Sequence, residues 1–178
     1  LLSLGVLNTS KQILEKGPSL IIRKVDLGQW SPIPVSEAIS AAKKVPGVIR
    51  ACPRIWGVVR GPENPVTVMA TPPIEAVSGD IPAEIQNYRP EPGTVVAGGG
   101  ILNIDGKTGS GNDILILKGR RNLSLRVLSI LAKKDGILLY DVALLHAADA
   151  RRLLDIEKGF ASDLAVYVFH RSEERRVG

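Results

Sequence analysis

Ile137-Leu138-Leu139-Tyr140-Asp141-Val142-Ala143-Leu144-Leu145, then Ala147-Ala148-Asp149-Ala150-Arg151-Arg152-Leu153-Leu154, then Leu164-Ala165-Val166-Tyr167-Val168-Phe169, is the one stretch where strand, helix and strand signals follow each other without ambiguity. The first run is apolar throughout, the pattern of a strand buried on both faces. From Ala147 to Ile156 the period changes. Ala147, Ala150, Leu153 and Leu154 mark one helix face, and Asp149, Arg151, Arg152 and Asp155 take the other. Gly159 can adopt the left-handed conformation that ends a helix. In the last run Leu164, Val166 and Val168 alternate with Ala165, Tyr167 and Phe169, so both faces are apolar and the strand is expected at the centre of a sheet. Together these make a strand-helix-strand unit with its helix covering one sheet face.

Tyr140 to Leu154, followed by Ala161-Ser162-Asp163-Leu164-Ala165-Val166-Tyr167-Val168, resembles the closing segment of the MacB-like periplasmic core domain. That domain is the extracytoplasmic part of ABC transporter permeases of the macrolide-exporter and lipoprotein-releasing type. Ser36 to Val59 is similar to an earlier part of the family, with a helix running into Pro46-Gly47-Val48 and a strand carrying Pro53-Arg54. Cys52 stands there in place of a small polar residue. Tyr88-Arg89-Pro90-Glu91-Pro92-Gly93, then Val95-Val96, resembles the family's Gly-Arg-x-Pro element, with Tyr88 in place of its Gly.

The resemblance implies a domain with no catalytic, cofactor-binding or metal-binding residues, and no cofactor. It would be held at the inner (plasma) membrane by flanking helices, on the periplasmic side. Its implied partners are a cytoplasmic ATPase, a second permease copy, and a periplasmic protein or lipoprotein substrate. Residues 1–17 would then be a membrane-proximal stalk that starts in the last turns of a transmembrane helix.

Composition is compatible with this. A 178-residue chain, 44% hydrophobic, can bury a core of its own. Its charge of +5 is spread along the sequence. Arg50, Arg54 and Arg60, with Trp56 among them, form the only basic run at strand spacing. Aromatics at 4% and the lack of a recognisable binding module argue against a nucleic-acid partner. A single cysteine, Cys52, excludes an internal disulfide. No apolar run reaches the roughly 18 residues of a membrane-spanning helix.

Taken in order, Asn8 to Lys16 reads as a short polar helix and Leu20 to Val25 as the first strand. Gly28, Trp30, Pro32 and Pro34 predict an irregular loop from Asp26. Ser36 is the expected N-cap of a helix whose stripe is Ala38, Ala41, Ala42 and Val45. Val48 to Arg60 reads as one half-exposed strand, and Pro53 places it at an edge or bulge. Pro65 to Thr71 returns as its neighbour. The segment from Pro72 to Lys134 is dense in Pro and Gly. It predicts a helical turn after Asp80-Ile81-Pro82, short strands at Thr94 to Ala97, Ile114 to Leu117 and Leu123 to Leu131, and a hairpin turn at Lys118-Gly119-Arg120. The charged run 171–178 is a solvated tail.

Catalytic motifs fail on spacing. Gly106-Lys107-Thr108 has Ile101 where a phosphate-binding loop needs Gly, and no helix signal follows it. Gly98-Gly99-Gly100 lacks the third glycine of a dinucleotide loop, since Asn103 stands there. His146 fits a helix cap and His170 an exposed position, and two histidines do not complete a metal site. No nucleophile elbow occurs, so Ser110 has no catalytic setting. Asp141 is expected at a sheet edge in water.

The expected fold is therefore α+β, a split mixed sheet with two short helices (βαββ…βαβ) interrupted by a small β-rich inserted subdomain. Residues 18–72 form the first half of the core, 73–136 the insertion and 137–170 the second half. This reading requires Leu20 to Val25 and Ile137 to Leu145 to share a sheet, with both ends of the domain on its membrane side. The expected function is the extracytoplasmic permease domain. Its alternatives are a soluble nucleotide or phosphate enzyme using the loop around Lys107, and a binding module presenting Arg50, Arg54 and Trp56.

Overall fold

The computed structural model describes residues 18–71, 88–101, 113–131 and 139–169. The expectations for residues 1–17, for the turn after Asp80, for the loop around Lys107 and for His170 and the tail 171–178 lie outside those residues. In chain order the first elements are β1 (Leu20–Ile22), β2 (Lys24–Asp26), β3 (Gln29–Ser31), β4 (Ile33–Pro34), α1 (Val35–Lys43), β5 (Val48–Arg54), β6 (Trp56–Arg60) and β7 (Pro65–Ala70). Then come β8 (Thr94–Gly98), β9 (Ile114–Lys118), β10 (Asn122–Leu131), β11 (Val142–Leu145), α2 (Ala147–Leu154), β12 (Phe160–Ala161) and β13 (Asp163–Val168).

These strands do not build the expected split sheet. Six of them close into a barrel in the order β10-β8-β11-β7-β6-β9, and a separate sheet has the order β1-β13-β5. Among the described residues the fold is mostly β, with two short helices. Leu20–Ile22 and Val142–Leu145 therefore lie in different sheets, which overturns the single layered body. Nor is the β-rich middle a small insertion, because β6, β7 and β11 close the barrel together with β8, β9 and β10. The loop expected from Asp26 also holds structure: β2 pairs with β3, and β4 pairs with β12.

The reason lies in where the two helices put their apolar faces. The inner stripe of α1 is Val35, Ala38, Ile39 and Ala42, shifted from the expected one, which leaves Ala41 and Val45 exposed. It covers Leu164, Val166 and Val168 of β13 together with Val48 and Ala51 of β5. The α2 helix belongs to the other core. Its Ala150 and Leu153 enter the barrel among Val59, Val68, Leu117 and Leu125, so the helix plugs one mouth of the barrel. Gly119 in the β9–β10 turn lies so close beneath α2 that a Cβ there would sit 2.3 Å from the Leu153 carbonyl oxygen. Helix and following strand thus serve two different cores, and a strand-helix-strand pattern in sequence does not make one layer.

Within the barrel the expected alternation holds. Val66 and Val68, Leu115 and Leu117, and Leu123, Leu125 and Val127 point inward. Val96, Val142 and Leu144 face outward under Leu131, Leu139 and Tyr88. The topology carries an internal pseudo-twofold. Exchanging β6 with β9, β7 with β10 and β8 with β11 reproduces every neighbour relation and its direction: β7 is parallel to β11 as β10 is to β8, and the other pairs are antiparallel. The axis passes by the Arg60–Lys118 pair and the Val96–Leu144 pair. A basic residue followed by Gly opens the turn in both hairpins, Arg60-Gly61 and Lys118-Gly119.

Because Leu153 is fully buried in the barrel core, Leu153→Ala should cost about 3 kcal/mol in urea denaturation. A loss below about 1 kcal/mol would mean that α2 does not seal the barrel.

Candidate functional site

The barrel and the three-stranded sheet meet at one buried carboxylate. Strand β5 leaves the sheet at Arg54, and after Ile55 the chain enters the barrel as β6 at Trp56. Opposite that switch β13 begins with Asp163, whose side chain has no exposed surface. A buried carboxylate has to be ringed by donors, and this one is. Arg54 donates from Nε to Oδ1 and from Nη2 to Oδ2, both at 2.7 Å. Trp56 donates its indole N–H to Oδ2 at 2.8 Å, and Arg23 Nε lies 3.5 Å from the same oxygen. Next to it, Ser162 Oγ accepts from the Trp56 amide and donates to the Trp56 carbonyl oxygen.

Arg23 links this centre to the β2–β3 hairpin. Its guanidinium carbon lies 4.8 Å from the Trp30 ring centroid and 4.7 Å from that of Trp56, a cation held between two indoles. The hairpin turns through Leu27 and Gly28, with φ of 48° and 78°. A side chain pays for that conformation with strain, yet Leu27 is 100% exposed, and Val25 and Trp30, cross-strand partners, are exposed as well. The result is a firmly based hairpin with an apolar tip.

The basic face expected at Arg50, Arg54 and Trp56 is built differently from the sequence reading. Arg54 and Trp56 are turned onto Asp163, and the Arg50 guanidinium stacks at 4.4 Å over Tyr167. Their polar groups are engaged within the fold. The chemistry of Asp163 is to hold a joint.

Other expected residues fall as follows. His146 caps α2, its Nδ1 accepting from the Ala148 amide at 3.2 Å. Asp141 is exposed, in the turn before β11. Asp149, expected on the solvent face, is buried and accepts the Gly93 amide at 2.7 Å, which ties α2 to the entry of β8. Asp155, rather than Gly159, takes the left-handed conformation that ends α2. Burial pushes the Arg151 guanidinium below the usual arginine range. That group donates to the Glu157 and Phe160 carbonyl oxygens and fixes the path to β12. Gly98 and Gly100 are packing glycines: side chains there would strike the backbone of Leu139 and Tyr140 and the ring of Tyr140, and the Gly100 amide donates to the Tyr140 carbonyl oxygen. Among the described residues no cluster of three His, Cys, Asp or Glu could hold a metal ion.

Sequence reasoning noted the Ser162-Asp163 entry but gave Asp163 no role. The available signal was an acid opening a strand that is otherwise apolar on both faces. No family model matches this chain, and no curated protein sequence does.

Asp163→Ala leaves two guanidinium groups and an indole N–H without their shared acceptor, so it should destabilise by about 3 kcal/mol in thermal or urea unfolding. Trp56→Phe, which keeps the ring and removes one donor, should cost about 1 kcal/mol. Equal losses from the two variants would show that the carboxylate is not the centre of the cluster.

Proposed function

We propose that this chain is a non-catalytic extracytoplasmic domain of an ABC transporter permease. It would be carried at the plasma membrane by flanking helices and moved by a cytoplasmic ATPase. Beside a second permease copy, it would act on a lipoprotein, a peptide, a drug or a partner protein. The resemblance in Tyr140 to Val168 supports the family. Because the single sheet first expected is not formed, the reading rests instead on how the chain enters and leaves the described fold.

That observation is the pairing of β1 with β13. Leu20 lies opposite Val166, and the Val168 amide donates to Ser19 Oγ. Residues 19 and 168 are side by side at one end of the three-stranded sheet, the arrangement that a domain suspended between two membrane-spanning helices requires. Asp163 sits at the other end of β13, where Ile22 pairs with Leu164. Movement delivered at Ser19 and Val168 would run along β1 and β13 to Asp163, and through Arg54 and Trp56 into the barrel. The apolar hairpin tip would then face away from the membrane, towards the transported or partner molecule. No helix among the described residues is long and apolar enough to cross a membrane.

Leu27 is fully exposed, so its replacement reports sidedness without disturbing the core. In cells expressing the complete gene in a Cys52→Ser background, Leu27→Cys should react with a membrane-impermeant maleimide in intact spheroplasts. Labelling only after lysis would place the domain in the cytoplasm and overturn the proposal.

A further inference from the structure

The end of the three-stranded sheet where the described chain enters and leaves also holds the turn between α1 and β5. Hydrogen bonds bring the segments together there. The Val168 amide donates to Ser19 Oγ, the Phe169 amide to the Gly47 carbonyl oxygen at 2.8 Å, and the Val48 amide to the Val45 carbonyl oxygen at 3.2 Å. Val168 is also the cross-strand partner of Val48. Ser19, the turn from Lys43 to Ile49, and Phe169 therefore share one end of the sheet. Asp163, Arg23 and the β2–β3 hairpin occupy the other.

The side chains at the first end are poorly matched to water. Leu20 of β1, Val45 of the turn, Ile49 of β5 and Phe169 after β13 are each 55 to 68% exposed. Single exposed apolar residues are ordinary, but four carried to one rim by four segments mark a contact surface. Beside them stand Lys43 and Lys44, both exposed. Lysines at the end of a helix complement its dipole, which accounts for their charge and not for the apolar neighbours. No acidic residue occurs in 18–20, 43–50 or 166–169. The rim is apolar and basic, with no carboxylate of its own.

We infer that this rim rests on the surface of an anionic phospholipid bilayer. Leu20, Val45, Ile49 and Phe169 lie at the boundary of headgroups and acyl chains, and the Lys43 and Lys44 ammonium groups reach the lipid phosphates on their long stems. The inference rests on the permease reading, which sets this end of the sheet towards the membrane. A second copy of the chain is a poor occupant, because like ends would bring lysine against lysine. Seated on the bilayer, the ends of β1 and β13 follow the flanking helices directly.

The test uses the full chain in a Cys52→Ser background, with a nitrobenzoxadiazole label on Ile49→Cys or, at the far end, on Leu27→Cys. Vesicles are phosphatidylcholine alone or an equal mixture with phosphatidylglycerol. On the mixed vesicles the Ile49→Cys label should brighten and shift to the blue, saturably, while the Leu27→Cys label stays unchanged. Replacing both lysines, Lys43→Glu with Lys44→Glu, should weaken that binding by about tenfold or more. Phe169→Asp should weaken it as well, without moving the thermal unfolding midpoint. An equal shift at Leu27→Cys, or binding that ignores the lysine replacements, overturns the inference. So does the absence of any shift at Ile49→Cys, which would leave the rim to an acidic protein surface. The permease reading survives each of those results if Leu27→Cys is labelled from outside intact spheroplasts, and fails if it is labelled only after lysis, whatever the vesicles show.

Discussion

The structure depends on a carboxylate that has no access to water. Once Asp163 is buried, its charge has to be met inside the protein, because leaving it unpaired would cost several kcal/mol. The donors that meet it come from three places: the end of β5, the start of β6, and the segment between β1 and β2. Those three places are where the sheet, the barrel and the apolar hairpin adjoin. One electrostatic requirement therefore fixes the relation of the parts, and the directional Arg54 and Trp56 hydrogen bonds make the joint a stiff one.

On either side of that joint each core is sealed by one short helix. The small sheet could not exclude water with three strands, and α1 covers its apolar face. The barrel needs no lid on its sides, since closure removes free edges, but its mouth is open until Ala150 and Leu153 fill it. Filling the mouth has a local consequence. The last turn of α2 takes over the Arg120 amide, the β6–β9 seam shrinks to one residue pair, and a groove opens beside it. Among the described residues, only the half that ends in β11 runs on into a helix that returns to the barrel.

Much of the local structure was legible. Alternation marked β7, β8, β9 and β10 almost to the residue, Pro53 marked an edge strand, and His146 marked the start of α2. The candidate site was legible only in part. Arg54 and Trp56 stood out as a basic and aromatic run, yet their orientation is decided by Asp163, 109 and 107 residues away. The exposed apolar tip was hidden because Leu27 occupies a position where a turn former would be expected. The short β6–β9 seam was not legible at all, since it follows from a hydrogen bond between a turn and a helix that are distant in sequence.

By itself the sequence determined where both helices and the longer strands lie, because periodicity and turn chemistry act over a few residues; it missed the short strands β3 and β4 and set the buried stripe of α1 off by a few positions. The tertiary structure alone decided which strand lies beside which. A strand apolar on both faces fits any interior place, so Val142–Leu145 and Asp163–Val168 carried no mark assigning one to the barrel and the other to the sheet. That choice was made by long-range burial: two helices with separate cores to cover, and one acid whose partners had to converge from distant parts of the chain.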